Sequence, residues 1–159
     1  MKFAAILSSA AVAAAAAIDK SSTVEFRVGK FAAGCIGHST QCVVGFTVYQ
    51  PGETIGVQCT TRVSAIPGAG GPNVIPDIRG AGCSNSSRTF DFVRDDGAAT
   101  LTVSQQVSRL SFRNGSHVLP STDFFITNEP NAWVENYTGP DSFDLKYWNQ
   151  RELKTFKLQ

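Results

Sequence analysis

The chain has 159 residues, with 14 Lys and Arg against 13 Asp and Glu, so its net charge is close to zero. A near-neutral chain has no general basic field to hold nucleic acid, and the composition excludes nucleic acid as a partner of that kind. After the first residues no segment is apolar enough to cross a bilayer, so the sequence predicts one domain that does not contact the membrane.

Residues 1–17 have the pattern of a secretory signal peptide. Lys2 supplies a positive start, and residues 3–17 form an uncharged, alanine-rich run that is too short for a membrane-spanning helix. We therefore expect cleavage after Ala17 and export to the extracellular space, either the apoplast or the cell-wall surface. Loss of Lys2 leaves 13 basic and 13 acidic residues. We predict a β-barrel domain over residues 18–148 and a tail over 149–159.

The exported chain contains four cysteines, Cys35, Cys42, Cys59 and Cys83. An even number of cysteines in an oxidising compartment predicts two disulfides. The spacings do not form the CxxC pairs of a zinc site, so no metal and no cofactor is predicted. Three pairings are possible, and loop-closure entropy does not choose between them. It credits the rings Cys35–Cys42 and Cys59–Cys83 with about 2.5 and 3.5 kcal/mol and the longer alternatives with slightly more.

Apolar and polar residues alternate along most of the remaining chain, and this period of two is typical of strands with one face on a core. Eight or more short strands predict an all-β fold, a single antiparallel β-barrel or sandwich stapled by two disulfides. The runs are residues 24–28, 44–48, 55–63, 90–92, 101–107, 110–112, 124–126 and 143–147.

Turn and loop residues separate these runs. Pro51-Gly52 ends the second run, and Asp95-Asp96-Gly97 and Asn114-Gly115 predict tight turns. Residues 67–82 are so rich in Gly and Pro that they predict a long surface loop. Cys59 faces inward on the strand before this loop and Cys83 ends the loop. The layout therefore favours pairing Cys59 with Cys83, and Cys35 with Cys42.

Residues 31–48, read as Phe-Ala-Ala-Gly-Cys-Ile-Gly-His-Ser-Thr-Gln-Cys-Val-Val-Gly-Phe-Thr-Val, carry a family resemblance. Together with a Cys-bearing strand at 57–61 and Cys83 before Phe90 and Phe92, they resemble the small secreted fungal proteins related to the major Alternaria allergen. That family includes elicitors from plant-pathogenic fungi that induce the hypersensitive response. The resemblance covers most of the chain up to about Ser108.

The resemblance implies a single barrel or sandwich, an intrachain Cys59–Cys83 pair and no catalytic residue to carry over, so no enzyme is expected. Because Cys35 and Cys42 are both present, the intermolecular cystine of some relatives is expected to be absent and the chain to be a monomer. The implied function is that of a secreted effector or elicitor. Its rigid fold would present the 67–82 loop and the 35–42 loop to a plant apoplastic protein or receptor.

Two other functions compete with this one. A secreted ribonuclease would use His38, Glu53 and His117 for proton transfer, with Arg79 on the phosphate. A carbohydrate-binding module would stack sugar rings on aromatic side chains; the available ones are Trp133, Tyr137, Tyr147 and Trp148.

Three N-glycosylation sequons occur, at Asn85, Asn114 and Asn136, all in stretches predicted to be turns or loops. Asn114 is the preferred acceptor because an Asn-Gly turn should be exposed. Asn85 becomes a poorer acceptor if it lies tight against Cys83.

Overall fold

The computed structural model of the chain describes residues 23–67 and 71–147. The predicted signal peptide, residues 1–17, and the predicted tail, residues 149–159, lie outside the described residues. Within them the only helix is a 3-10 helix at Ser121–Asp123, and most other residues lie in strands, so the prediction of an all-β fold is confirmed.

Twelve strands follow one another within these described residues. Their bounds are β1 Val24–Cys35, β2 Gln41–Tyr49, β3 Val57–Ser64, β4 Ile66–Pro67, β5 Asn73–Val74, β6 Ile78–Gly82, β7 Arg88–Asp95, β8 Ala98–Ser108, β9 Ser111–Leu119, β10 Phe124–Glu129, β11 Ala132–Tyr137 and β12 Phe143–Tyr147.

The strands form one curled, barrel-like sheet in the order β6-β7-β8-β9-β12-β1-β2-β3. Its two edges meet at an isolated bridge between Cys59 on β3 and Cys83 after β6. The far end of β1 also pairs with β11, at Gly34 and Asn136, and β11 carries β10 on its other side. All pairs are antiparallel except β5 with β11. Strands β4, β5, β10 and β11 extend one end of the barrel.

Every second residue of the main strands points into the barrel, where the apolar side chains pack without exposure to solvent. Phe46 contacts Phe90 edge to face at 5.0 Å between ring centroids, and Phe26, Phe92 and Leu101 are fully buried around them. Each such side chain contributes about 1.5–3 kcal/mol by leaving water. The interior is therefore a packed core, and the polar groups are left to the two ends of the barrel.

Both disulfides have the favoured pairing, Cys35–Cys42 and Cys59–Cys83. Cys35 and Cys42 lie directly opposite each other on β1 and β2, with their Cα atoms 3.8 Å apart. Cys59 and Cys83 join the two sheet edges, and Ser84 N–H donates to the Gln58 carbonyl beside them. The first disulfide closes a hairpin, while the second joins strands that have little other pairing.

The prediction of a loop over residues 67–82 is wrong for the second half of the segment. Ile75 and Ile78 are buried, and β6 pairs with β7 through residues 78–82, with a register shift where Gly80 adopts φ +63°. The composition indicated a loop because Gly and Pro residues recur throughout the segment. Two isoleucines nevertheless reach the core, and the glycine at positive φ provides the bulge that lets the strand pass.

The turn predicted at Asn114-Gly115 is also wrong, because both residues lie inside β9, opposite Ser104 and Val103 of β8. A Cβ at Gly115 would lie 3.0 Å from the Leu145 Cβ, so close packing of β9 against β12 favours glycine there. Ile55 is exposed, because β3 begins only at Val57. The Asp95-Asp96-Gly97 turn is confirmed, with φ of +47° and +80° at its two central residues.

Candidate functional site

One end of the barrel is closed by a buried arginine. Arg88 begins β7 on the same inward-facing side as Phe90 and is only 3% exposed. Its guanidinium donates to Glu53 Oε1 at 2.5 Å, to the Val48 carbonyl at 3.2 Å and to Gln105 Oε1 at 3.1 Å. We call this group the Arg88 mouth. A buried guanidinium of this kind is stable only because a carboxylate and two oxygens surround it.

Glu53 reaches Arg88 from the turn after β2, where its second oxygen accepts the Gln50 N–H at 2.8 Å. The hydrogen bond from Arg88 lowers the pKa of Glu53 below its ordinary value, against a smaller opposing effect of burial. Beside this pair lies a cavity of about 590 Å³, lined by Val24, Arg27, Tyr49, Gln50, Pro51, Gly52 and Glu53. Because Arg88 already binds the Glu53 carboxylate, the Arg88 mouth is a structural ion pair that lies next to this cavity.

The opposite end contains a second buried ion pair. Arg94 donates to Glu135 Oε1 at 2.6 Å, and Glu135 Oε2 accepts the Ile75 N–H at 2.9 Å. The guanidinium of Arg94 lies over the Phe124 ring, 4.1 Å from its centroid. Glu135 therefore ties β11, the segment before β6, and β7 together.

The two loops named by the sequence meet at this second end. The Asn73 side-chain amide donates to the Ser39 carbonyl at 2.9 Å, and Ala65 N–H donates to the Thr40 carbonyl at 2.8 Å. Asn73 also pairs with Val134, which brings in the β10–β11 hairpin. We call this end, formed by residues 36–40, 64–67, 71–74 and 126–134, the loop end.

Several large apolar side chains are exposed at the loop end. Trp133 is 55% and Ile66 51% exposed, and Ile36 and Ile126 are also exposed. The register places Ile66, Trp133 and Ile126 on one face of the small sheet formed by β4, β5, β11 and β10. Exposed apolar groups clustered on one surface are typical of protein contact sites.

The ribonuclease residues are not brought together. His38 precedes β2 and Glu53 follows it, so the length of β2, about 30 Å, separates them. His117 lies in β9 with its ring stacked on Phe143 at 4.4 Å, and burial lowers its pKa. Arg79 pairs with Asp77 on the outside of β6. No salt bridge joins any two of these four side chains.

The aromatic residues proposed for sugar binding do not form one platform. Tyr147 pairs with Thr23 at the start of β1, whereas Trp133 lies beyond the far end of β1, about 40 Å away along the strand. Tyr137 is half-buried between Phe31 and Phe124, and this burial raises its pKa to about 12. Trp148 lies outside the described residues.

The three sequons differ in their surroundings. Asn85 is exposed at φ +51° in the turn between Cys83 and β7. Asn114 and Asn136 lie in strands instead of the predicted turns, because each pairs with a neighbouring strand. The Asn136 amide donates to Thr127 at 3.0 Å, and its oxygen packs against Gly34.

Sequence reasoning missed Arg88, Arg94 and Glu135. Arg88 had a detectable signal, since a charged residue on the same side of a strand as Phe90 and Phe92 must find a buried partner. Glu135 had none, because β11 was not predicted.

Within residues 23–67 and 71–147, no three His, Cys, Asp or Glu side chains converge as a metal site would require. The same residues include no helix that is long and apolar enough to cross a membrane. Comparison of the chain with protein-family models, with curated proteins and with solved structures finds no match.

Proposed function

We propose that this chain is a secreted effector or elicitor that acts by contact with a plant apoplastic protein or receptor through the loop end. The single observation that carries the proposal is the hydrogen bond between Asn73 and Ser39. It brings together the 35–42 and 67–82 loops, which we expect the rigid scaffold to present to a partner. Export rests on the signal-like residues 1–17 and on two disulfides, which are typical of oxidising compartments.

The surroundings of the contact support a protein partner over a small substrate. Trp133 and Ile66 lie exposed on one face, held by a sheet whose base is fixed by the Arg94–Glu135 pair. Rigid, exposed aromatic and aliphatic groups are the usual anchors of protein interfaces, and truncation of such an anchor costs about 2 kcal/mol of binding energy or more.

The test compares the wild-type protein with the double variant Ile66→Ser, Trp133→Ser after infiltration into leaves. The matched control is Leu110→Ser, which changes a 97% exposed side chain in the β8–β9 turn at the opposite end. We expect the double variant to need at least about tenfold more protein for the same cell death or defence induction. Circular dichroism and disulfide mapping establish that all three proteins are folded.

If the double variant gives the same response as wild type, the loop end is not the surface that contacts the partner. A wild-type protein that produces no response at any dose would remove the elicitor function itself.

A further inference from the structure

Strand β10 forms an edge of the sheet within the described residues. It pairs with β11 through six consecutive residues, from Phe124 opposite Tyr137 to Glu129 opposite Ala132, without a register shift. No other described strand pairs with it. Such an edge is a template for another strand unless a proline, a bulge or a lysine protects it. β10 contains none of these.

The hydrogen-bond pattern identifies which backbone groups are available. Thr138 N–H donates to the Asp123 carbonyl at 2.8 Å, which marks residues 123 and 138 as a hydrogen-bonded pair. In an antiparallel ladder such pairs alternate, so residues 125, 127 and 129 bond to β11. Ile126 and Asn128 therefore direct their N–H and C=O groups away from β11, to the open edge. Phe124 fits this pattern, since its N–H bonds outward to Ser121.

Apolar side chains flank this edge on both faces of the hairpin. Phe125 is 53% exposed on one face and Ile126 is 43% exposed on the other. A strand added beside β10 would therefore gain main-chain hydrogen bonds and an apolar contact on each side, which is the usual basis of strand addition.

The stretch of chain that contains β10 is acidic. Residues 114–145 contain no Lys or Arg and carry five carboxylates. Two of these are paired, Glu135 with Arg94 and Asp144 with Arg27. Asp123 and Glu129, one at each end of β10, form no salt bridge with any described residue. A complementary strand would carry positive charge at its ends.

We propose that β10 accepts an extended, basic segment of a partner protein, in which Lys or Arg alternates with apolar residues, as an additional strand of the sheet. This inference rests on the proposed function only in taking the partner to be a protein. It names the mode of contact, which is main-chain pairing at Ile126 and Asn128, and the chemistry of the partner.

The test uses the full chain with both disulfides formed and the blocked peptide Lys-Val-Lys-Val-Lys-Val. The matched control peptide is Glu-Val-Glu-Val-Glu-Val. On titration of the basic peptide, NMR should show hydrogen-exchange protection of the Ile126 and Asn128 amides, while the Thr127 amide, already bonded to β11, changes little. The acidic peptide should bind at least about tenfold more weakly.

A proline variant separates edge pairing from side-chain contact. Asn128→Pro removes only an outward N–H and leaves the bonds to β11 intact, so the hairpin should persist. It should weaken peptide binding about three- to tenfold, whereas Asn128→Ala should stay within about twofold of wild type. Ile126→Pro tests the neighbouring outward N–H in the same way.

Equal binding by Asn128→Pro and Asn128→Ala, or shifts elsewhere with the two amides still exchanging freely, would overturn the proposal. So would equal affinity for the acidic peptide. Protection of both amides without peptide, together with a dimer in sedimentation velocity, would assign the edge to a second copy and overturn the basic partner. None of these binding measurements depends on the plant response. A negative result here therefore does not contradict the proposed function, which the leaf assay tests separately.

Discussion

Arg88 is almost completely buried, and Glu53, which reaches it from the turn after β2, is the only carboxylate that pairs with it among the described residues. Glu53 therefore holds the β2–β3 turn against the start of β7, across the end of the barrel. Replacing Glu53 with Gln leaves the buried guanidinium without a counter-charge. We expect Glu53→Gln to lower the free energy of unfolding by about 1–3 kcal/mol at pH 7, measured by urea denaturation. Glu129→Gln, which removes a carboxylate without a salt bridge, is the control.

The same pair predicts a pH dependence. The pKa of Glu53 is lower in the folded chain than its ordinary value of 4.5, because Arg88 donates to its carboxylate. The contribution of the pair is therefore complete above about pH 4.5 and is lost as the pH falls through the lowered pKa. Wild type should lose more stability than Glu53→Gln between pH 5 and pH 2. Parallel stability curves for the two proteins over that range would contradict the assignment.

Removing the Glu135 carboxylate should lower the free energy of unfolding more than removing the Glu53 carboxylate. It is 4% exposed, accepts the Ile75 N–H and pairs with Arg94. Glu135→Ala leaves a charged donor and a backbone donor unpaired, and we expect a loss of about 3–5 kcal/mol in the free energy of unfolding. Glu135→Gln retains an acceptor for Ile75 and should recover part of that loss. A change below 1 kcal/mol in Glu135→Ala would mean that the pair contributes little.

The two disulfides should contribute differently to the free energy of unfolding. Cys59–Cys83 spans 24 positions and joins edges with little other pairing, whereas Cys35–Cys42 spans 7 positions within a paired hairpin. Loop closure credits them with roughly 3.5 and 2.5 kcal/mol. Replacing Cys59 and Cys83 with Ala should therefore cost more stability than replacing Cys35 and Cys42 with Ala. The reverse order in urea denaturation would show that strain or residual structure outweighs loop closure.

Asn85 should be the acceptor if the exported chain is glycosylated. Its side chain is exposed in a turn, whereas Asn114 and Asn136 lie in paired strands, and the Asn136 amide is held by Thr127. In a eukaryotic secretion host, Asn85→Gln should abolish a glycan mass shift, and Asn114→Gln should leave it unchanged. A shift that persists in Asn85→Gln would place the glycan on a strand.

Tyr137 should ionise later than an ordinary tyrosine. Its ring packs on Phe31 and Phe124, and burial raises its pKa to about 12, with a smaller effect of Asp123. In an ultraviolet pH titration, the difference between wild type and Tyr137→Phe should have its midpoint near pH 12. A midpoint near 10 would show that the ring is solvated.

Most of the long strands, the disulfides and the Asp95-Asp96-Gly97 turn could be predicted from the sequence because each leaves a local signature. A strand with one buried face alternates every second residue, as Val44, Phe46 and Val48 do, and a two-residue turn needs residues that tolerate positive φ. Cysteine count and strand layout were sufficient for the pairing, since Cys59 and Cys83 bracket one segment.

What the sequence by itself determined is thus the class of fold, the inward side of most strands and the two cystines. Only the tertiary structure decided that Asn114 and Gly115 continue a strand, that Glu53 meets Arg88 35 positions away, and that residues 36–40 lie against Asn73. The physical reason is that each of these depends on which strands become neighbours and in what register. That is set by packing of the whole core, and no local pattern records it.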